Sequence, residues 1–297
     1  MIQVRQLTKD YGATRAIDRI DFQVEKGEIV GFLGPNGAGK STTMRILAGA
    51  LGATSGEALV GGVDVFSDPR RVKRMVGYLP EVPPLYTDMT VTDYLRFCGR
   101  IKSAKDPKRA ADRVISQIGL NDVAGRLIDH LSKGYRQRVG IAQALVHQPS
   151  VLILDEPASG LDPAQRVEIR SLVRDLSDGE TTVILSTHVL SEVEAICDRV
   201  VVINEGCIAG QGSMDELSGS GTSVLLRVAQ PESTLEASLQ SVAGVTSVTN
   251  LGEGQFRIVA TRDVRADLAH RAVASGLLEL GASRALEDTY LQLTGGG

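Results

Sequence analysis

The octet Gly34-Pro35-Asn36-Gly37-Ala38-Gly39-Lys40-Ser41 has the residue types and spacing to hold a polyphosphate. It fits G-x-x-x-x-G-K-[ST] and lies between an apolar run, IVGFL, and a helical stretch, STTMRILAG. Glycines let consecutive backbone N–H groups turn inward around phosphate oxygens. The start of the following helix, where Thr42 stands beside Ser41, adds partial positive charge. A lysine at position 40 reaches the β- and γ-phosphates of a nucleoside triphosphate, and a hydroxyl at Ser41 is a ligand for Mg²⁺. Glycine occupies about one position in ten here, so a chance match somewhere in the chain is on the order of a few per cent. The strand-loop-helix context lowers that further.

A second set of chemically capable residues is Asp155-Glu156, at the end of the apolar run Val151-Leu152-Ile153-Leu154. In a parallel sheet, ligands sit at the carboxyl ends of strands, which aims these acids at the mouth of the phosphate loop. Asp155 then holds Mg²⁺, directly or through water. Glu156 is placed to orient or deprotonate an attacking water. An acidic pair after a strand is more often a solvated strand end, and it gains meaning only beside a phosphate loop.

These residues need a scaffold, and residues 1–218 supply the pattern of an α/β domain. Short β-branched runs alternate with helical stretches. Strands are expected at IQVRQLT (2–8), GEIVGFLG (27–34), RMVGYLP (74–80), SVLILD (150–155), TTVILST (181–187) and RVVVINEG (199–206). The nearly unbroken apolar runs VLIL and TVIL indicate central, parallel strands covered on both faces. Residues 90–147 carry no comparable strand and read as a helical insertion. After a Gly/Ser-rich linker, residues 219–297 run β-α-β-β-α and end in the short tail ALEDTYLQLTG. That order predicts a small α+β domain of ferredoxin-like type.

At 297 residues the chain is long enough for about two domains. A formal charge of −4 gives no global basic field for nucleic acid, and none is expected as a partner. No apolar run approaches the ~18 residues that cross a bilayer, and MIQVRQLTKDYG has no secretion-signal pattern. Cys98, Cys197 and Cys207 are isolated in sequence and are expected to be small buried residues in a reducing cytoplasm. His130, His147 and His270 have no chemical context. The run Arg70-Arg71-Val72-Lys73-Arg74 reads as a solvated helix face.

A phosphate loop with an acidic strand end also occurs in GTPases, helicases and small-molecule kinases. The discriminating segment is Leu131-Ser132-Lys133-Gly134-Tyr135-Arg136-Gln137-Arg138, about twenty residues before the acidic strand. It resembles the LSGGQ-type signature of ABC (ATP-binding cassette) ATPases, and more narrowly the LSKGYRQR form common in bacterial ABC-2-type export ATPases. Ser159-Gly160-Leu161-Asp162 resembles that family's D-loop, and Ser186-Thr187-His188 its switch histidine. Tyr11 stands where the family stacks an aromatic ring on adenine. The match covers about residues 1–215 with every motif in order. GYLPEVPPLY and the small C-terminal domain are similar to the exporter subgroup.

The resemblance implies an ABC cassette of the P-loop NTPase fold and an ATPase using ATP and Mg²⁺. It implies that two such subunits face head to tail, each ATP lying between one phosphate loop and the other subunit's Ser132 and Gly134. His188 would contact the γ-phosphate, and Asp162 would communicate across the dimer. It further implies separate membrane-spanning permease subunits and a place on the cytoplasmic face of the cell membrane. Two departures stand out. Glu81 follows GYLP where the family has glutamine, leaving open a metal ligand or a hinge. Lys133 replaces the signature's first glycine, and either reaches phosphate or faces solvent. A non-transport ABC ATPase acting on ribosomes or DNA is the competing class. Such proteins usually carry two cassettes or long insertions, which this sequence lacks.

Overall fold

The computed structural model describes residues 1–177, 180–218, 222–231, 234–282, 290 and 293–294. They form two compact units, Met1–Gln211 and Gly212–Gly297. In chain order the first unit contains β1 (Ile2–Tyr11), β2 (Thr14–Val24), β3 (Ile29–Leu33), α1 (Lys40–Leu47), β4 (Ser55–Val60) and β5 (Val63–Asp64). It continues through α2 (Pro69–Met75), β6 (Val76–Leu79), α3 (Val91–Ile101), α4 (Pro107–Gln117) and α5 (Lys133–Leu145). Then follow β7 (Val151–Asp155), α6 (Pro163–Leu176), β8 (Thr182–Thr187), α7 (Leu190–Ile196), β9 (Arg199–Asn204) and β10 (Cys207–Ser213).

Two sheets organise this unit. The core sheet has the order β10-β9-β3-β8-β7-β6, and β9, β3, β8, β7 and β6 pair in parallel. Every residue of β3, β7 and β8 is buried, as their continuous apolar runs require of strands covered on both faces. The second sheet, β2-β1-β4-β5, is antiparallel. Helix α1 packs against β2 and β4 of that sheet and against β7 and β8 of the core sheet. Its Met44, Ile46 and Leu47 are fully buried in one apolar cluster with Phe22, Phe32, Ile153 and Ile184. The helix that follows the phosphate loop is thereby clamped between both sheets.

The six strands expected from sequence all form, with ends shifted by at most three residues. Strands β2, β4, β5 and β10 were not anticipated. Strand β2, TRAIDRIDFQV, alternates charge with apolar residues and buries only one face, so it lacks the unbroken run that marks a core strand. Residues 90–147 are helical as expected. Helix α3 starts at the cap Thr90, whose hydroxyl oxygen accepts the Asp93 N–H; α4 starts at Asp106-Pro107, and α5 at Ser132. One cysteine departs from expectation: Cys98 and Cys197 are buried, but Cys207 is exposed, at the start of the edge strand β10.

The second unit comprises α8 (Met214–Ser218), β11 (Thr222–Val228), α9 (Leu235–Gln240), β12 (Val245–Gly252), β13 (Gln255–Ala260), α10 (Arg265–Ala272) and β14 (Leu277–Ala282). Its sheet order is β12-β13-β11-β14 with every neighbouring pair antiparallel. From β11 onward this is the β-α-β-β-α-β arrangement of ferredoxin-like domains. Strand β14 was missed in sequence because LLELGA is short and follows directly on a helix. The alternate residues Phe256, Ile258 and Ala260 of β13 pack with Val224, Leu226, Leu235 and Leu268 into a separate core. Of the tail segment ALEDTYLQLTG, all but residues 290, 293 and 294 lies outside the described residues.

Candidate functional site

The phosphate loop leaves β3 at Gly34 and enters α1 at Lys40. Two of its glycines are sterically required. A Cβ on Gly34 would stand 2.2 Å from the carbonyl oxygen of Ile203, and one on Gly39 would stand 2.6 Å from that of Ala16. Gly39 also has φ 108°, a conformation closed to side-chain-bearing residues. Asn36 and Gly37 lie exposed at the tip of the loop, Pro35 is half-buried, and the buried Ala38 accepts the Gly206 N–H at 3.1 Å. Ser41 and Thr42 occupy the first turn of α1, half-buried.

Lys40 is 5 % exposed, and its ammonium donates to the carbonyl oxygens of Gly34 at 2.7 Å and Pro35 at 3.0 Å. It also lies 3.7 Å from Oε1 of Glu156. Burial lowers the Lys40 pKa, opposed by the negative charges of Glu156, Asp155 and Glu81.

Strands β7 and β8 end side by side, with Asp155 in register with Ser186. The buried Asp155 carboxylate accepts hydrogen bonds from the hydroxyl of Ser41, at 3.0 Å, and from that of Ser186. Burial raises its pKa, the two hydroxyl bonds lower it, and the charges of Glu156 and Glu81 raise it again. Glu81 is exposed, yet its charge acts on both Asp155 and Lys40.

Glu156 has φ 49°, a left-handed conformation that is rare for a side-chain-bearing residue and costs about 1–3 kcal/mol. Its N–H donates to both the carbonyl and the hydroxyl oxygen of Ser186, each at 3.1 Å, and its carbonyl accepts from Ser159. These bonds hold the strained turn that throws the Glu156 side chain across the strand ends. Both carboxylate oxygens lie 3.0 Å from Nδ1 of His188, the first residue beyond β8. The His188 side chain is 47 % exposed, and its Nε2 has no hydrogen-bond partner among the described residues. Lys40, Ser41, Asp155, Glu156 and His188 thus converge at the carboxyl end of the core sheet.

The signature residues do not join this cluster within one chain. Among the described residues, no hydrogen bond or ion pair links Ser132, Lys133, Gly134 or Asp162 to the phosphate loop, Asp155, Glu156 or His188. Ser132 caps α5, accepting the Tyr135 N–H, and Asp162 caps α6, accepting that of Gln165 at 2.9 Å. The two helix starts pack on one another. A Cβ on Gly134 would meet the Gln165 side chain at 2.7 Å, and one on Gly160 would meet the Lys133 ammonium at 2.0 Å. Lys133 is therefore folded over the D-loop-like turn. Tyr11 ends β1 with its ring 45 % exposed and the Lys9 ammonium 5.2 Å from its centroid.

Sequence reasoning did not foresee the part played by Ser186, which bonds both acids. Its only signal was its place in β8, level with Asp155 once β7 and β8 are paired.

A family model described as "ABC transporter" matches residues 17–159. The bacitracin transport ATP-binding protein BcrA of Bacillus licheniformis is 33 % identical over 100 % of this chain and 98 % of its own length. The chain belongs to the ABC transporter ATP-binding proteins. It is 40 % identical to the daunorubicin/doxorubicin resistance ATP-binding protein DrrA of Streptomyces peucetius, over 82 % of this chain and 76 % of that one. Among solved structures, an ATP-binding subunit of an ABC transporter superposes with a TM-score of 0.66 at 29 % identity, covering 73 % of this chain and 91 % of the other. The fold is also that of the cassette MJ0796, solved as a dimer bound to ADP and Pi, with a TM-score of 0.66 at 22 % identity over 72 % and 99 % of the two chains. This ABC cassette is a nucleotide-binding ATPase that energises a transporter. No helix among the described residues is long and apolar enough to cross a membrane.

Proposed function

We propose that this cassette drives an exporter of the ABC-2 type as an ATP-closed homodimer, seated on separate permease subunits at the cytoplasmic face of the membrane. The observation that carries the reading is the convergence of Lys40, Asp155, Glu156 and His188 at one sheet end, while the signature residues make no hydrogen bond or ion pair to them among the described residues. A site split in this way is completed by a second copy. The relatives named for transport and resistance, and the dimeric cassette of the same fold, point the same way.

In this reading the ATP phosphates enter the loop 34–42, and Lys40 turns from the Gly34 and Pro35 carbonyls to the β- and γ-phosphates. Tyr11 stacks on adenine. Ser132 and the Gly134 N–H of the second copy approach the γ-phosphate from the opposite side, with Lys133 adding positive charge and Asp162 meeting the facing subunit. Glu156 takes a proton from the water that attacks the γ-phosphorus, as the bond to the β,γ-bridging oxygen breaks. His188 holds Glu156 through Nδ1 and turns Nε2 to the γ-phosphate. Closing and opening of the dimer moves the permease subunits.

The donor set fits Mg²⁺. The Ser41 hydroxyl and the buried Asp155 carboxylate are adjacent hard oxygens, and magnesium needs only one or two protein ligands beside phosphates and water. Glu81, whose charge acts on both Asp155 and Lys40, is the third candidate. When bound, the ion neutralises charge on the β- and γ-phosphates.

The test is capture of tagged Glu156→Gln protein, with Mg-ATP, from gently solubilised membranes of the cells that make it. A stoichiometric multi-helix membrane protein is expected. Ribosomal or DNA-bound material without a membrane partner would overturn the exporter reading.

A further inference from the structure

Glu192 is a carboxylate only 5 % exposed, and it makes no ion pair among the described residues. Among the described residues its one side-chain hydrogen bond comes from the Thr187 hydroxyl, at 2.7 Å. Removing a carboxylate from water without a cation is costly, and one neutral donor offsets only part of that cost. A buried charge of this kind persists where it fixes something.

What it fixes is the turn bearing His188. Thr187 is fully buried at the end of β8, in register with Leu33, the last residue before the phosphate loop. Its hydroxyl donates to Glu192 and accepts the Val189 N–H at 3.0 Å. One hydroxyl therefore ties both residues that flank His188 to a carboxylate on the third residue of α7, in its first turn. A hydrogen bond to an ionised acceptor is roughly twice as strong as a neutral one, which gives the charge its purpose. Val193 of the same helix and Cys197, the residue that caps its C-terminus, pack closely over Gly31 of β3, so α7 is itself anchored to the central strand.

We propose that Glu192 and Thr187 are positioning residues for the hydrolytic step: through Thr187, Glu192 sets the direction of His188 and hence of the Glu156 carboxylate. The inference rests on the role of His188 proposed above. Because the pair touches neither phosphate loop nor adenine contact, its loss lowers turnover and leaves ATP affinity alone.

The experiment is steady-state ATP hydrolysis by the full chain, reading kcat and KM separately. Thr187→Val, which keeps the shape and removes the hydroxyl, is expected to lower kcat tenfold or more with KM for ATP within twofold. Thr187→Ser, which keeps the hydroxyl, restores most of kcat. Glu192→Gln keeps an acceptor without the charge, folds without a cavity, and is expected to lose three- to tenfold in kcat. In the double variant Thr187→Val/Glu192→Gln the loss equals that of Thr187→Val alone. Wild-type kcat in either Thr187→Val or Glu192→Gln overturns the inference, as does a double variant whose loss is the product of the single ones. His188→Ala separates the layers: if it hydrolyses ATP normally, the His188 role fails; if it is inactive while Thr187→Val is normal, only the present inference fails.

Discussion

Glu156→Gln isolates the chemistry of the site from its architecture. Glutamine keeps the N–H that bonds Ser186 and can keep an oxygen facing Nδ1 of His188, so the strained turn at φ 49° has the same support. What disappears is the proton acceptor. Loss of a general base lowers rate by about 10²–10⁴, which at ~1.4 kcal/mol per factor of ten is about 3–5 kcal/mol in the barrier. Binding moves the other way. Glu156 now competes with the incoming γ-phosphate for the Lys40 ammonium 3.7 Å away, an attraction of about 4 kcal/mol at an effective dielectric of ~20. Removing that charge releases Lys40 and removes repulsion of the phosphate, so ATP affinity is expected to hold or rise. The assay pairs phosphate release with fluorescent-ATP titration and a sizing column run in Mg-ATP. Expected are turnover at least a hundredfold down, unchanged or tighter ATP binding, and a stable dimer peak. Turnover within threefold of wild type would refute the assignment of Glu156 as base, and normal loss of turnover with lost ATP binding would refute the electrostatic argument.

Ser132→Arg is expected to leave ATP binding to the monomer within about threefold while abolishing the dimer peak, checked by titration and sizing in parallel. Gly34→Ala drives a Cβ to 2.2 Å from the Ile203 carbonyl, a backbone group that cannot rotate away; ATP binding should fall more than tenfold, with stability down by about 1–3 kcal/mol in urea unfolding. Lys102 is half-buried and donates to the carbonyl and side-chain oxygens of Gln143, and its removal from water lowers its pKa to about 8 from 10.5. The unfolded chain therefore binds more protons between those values, so this residue makes stability rise with pH from about 8 toward 10.5, by about 3 kcal/mol in all. Urea midpoints at pH 7.5 and 9.5 should show that rise in wild type relative to Lys102→Met; equal pH slopes in the two proteins would show that Lys102 stays charged throughout.

The sequence determined the parts whose physics is local. Gly34, Gly37, Gly39, Lys40 and Ser41 announce a phosphate loop because those residue types let backbone N–H groups and a cation meet phosphate. The runs VLIL and TVIL announce central strands because a strand covered on both faces has no polar side to show. The chemistry beyond the loop was legible mainly through family resemblance, since an acidic pair or a lone histidine has no local signature. Tertiary structure decided what depends on pairing partners far apart in the chain. Strand β2, half solvated and rich in charge, exists because β1 pairs with it and α1 needs a second sheet to pack on. Ser186 reaches both acids only because β7 and β8 are parallel neighbours in that register. The carboxylate of Glu192 has meaning only once α7 folds back beneath Thr187. Sequence patterns report which face of a segment is buried; they do not report what it is buried against, and at this site the contacts between strand ends set the geometry.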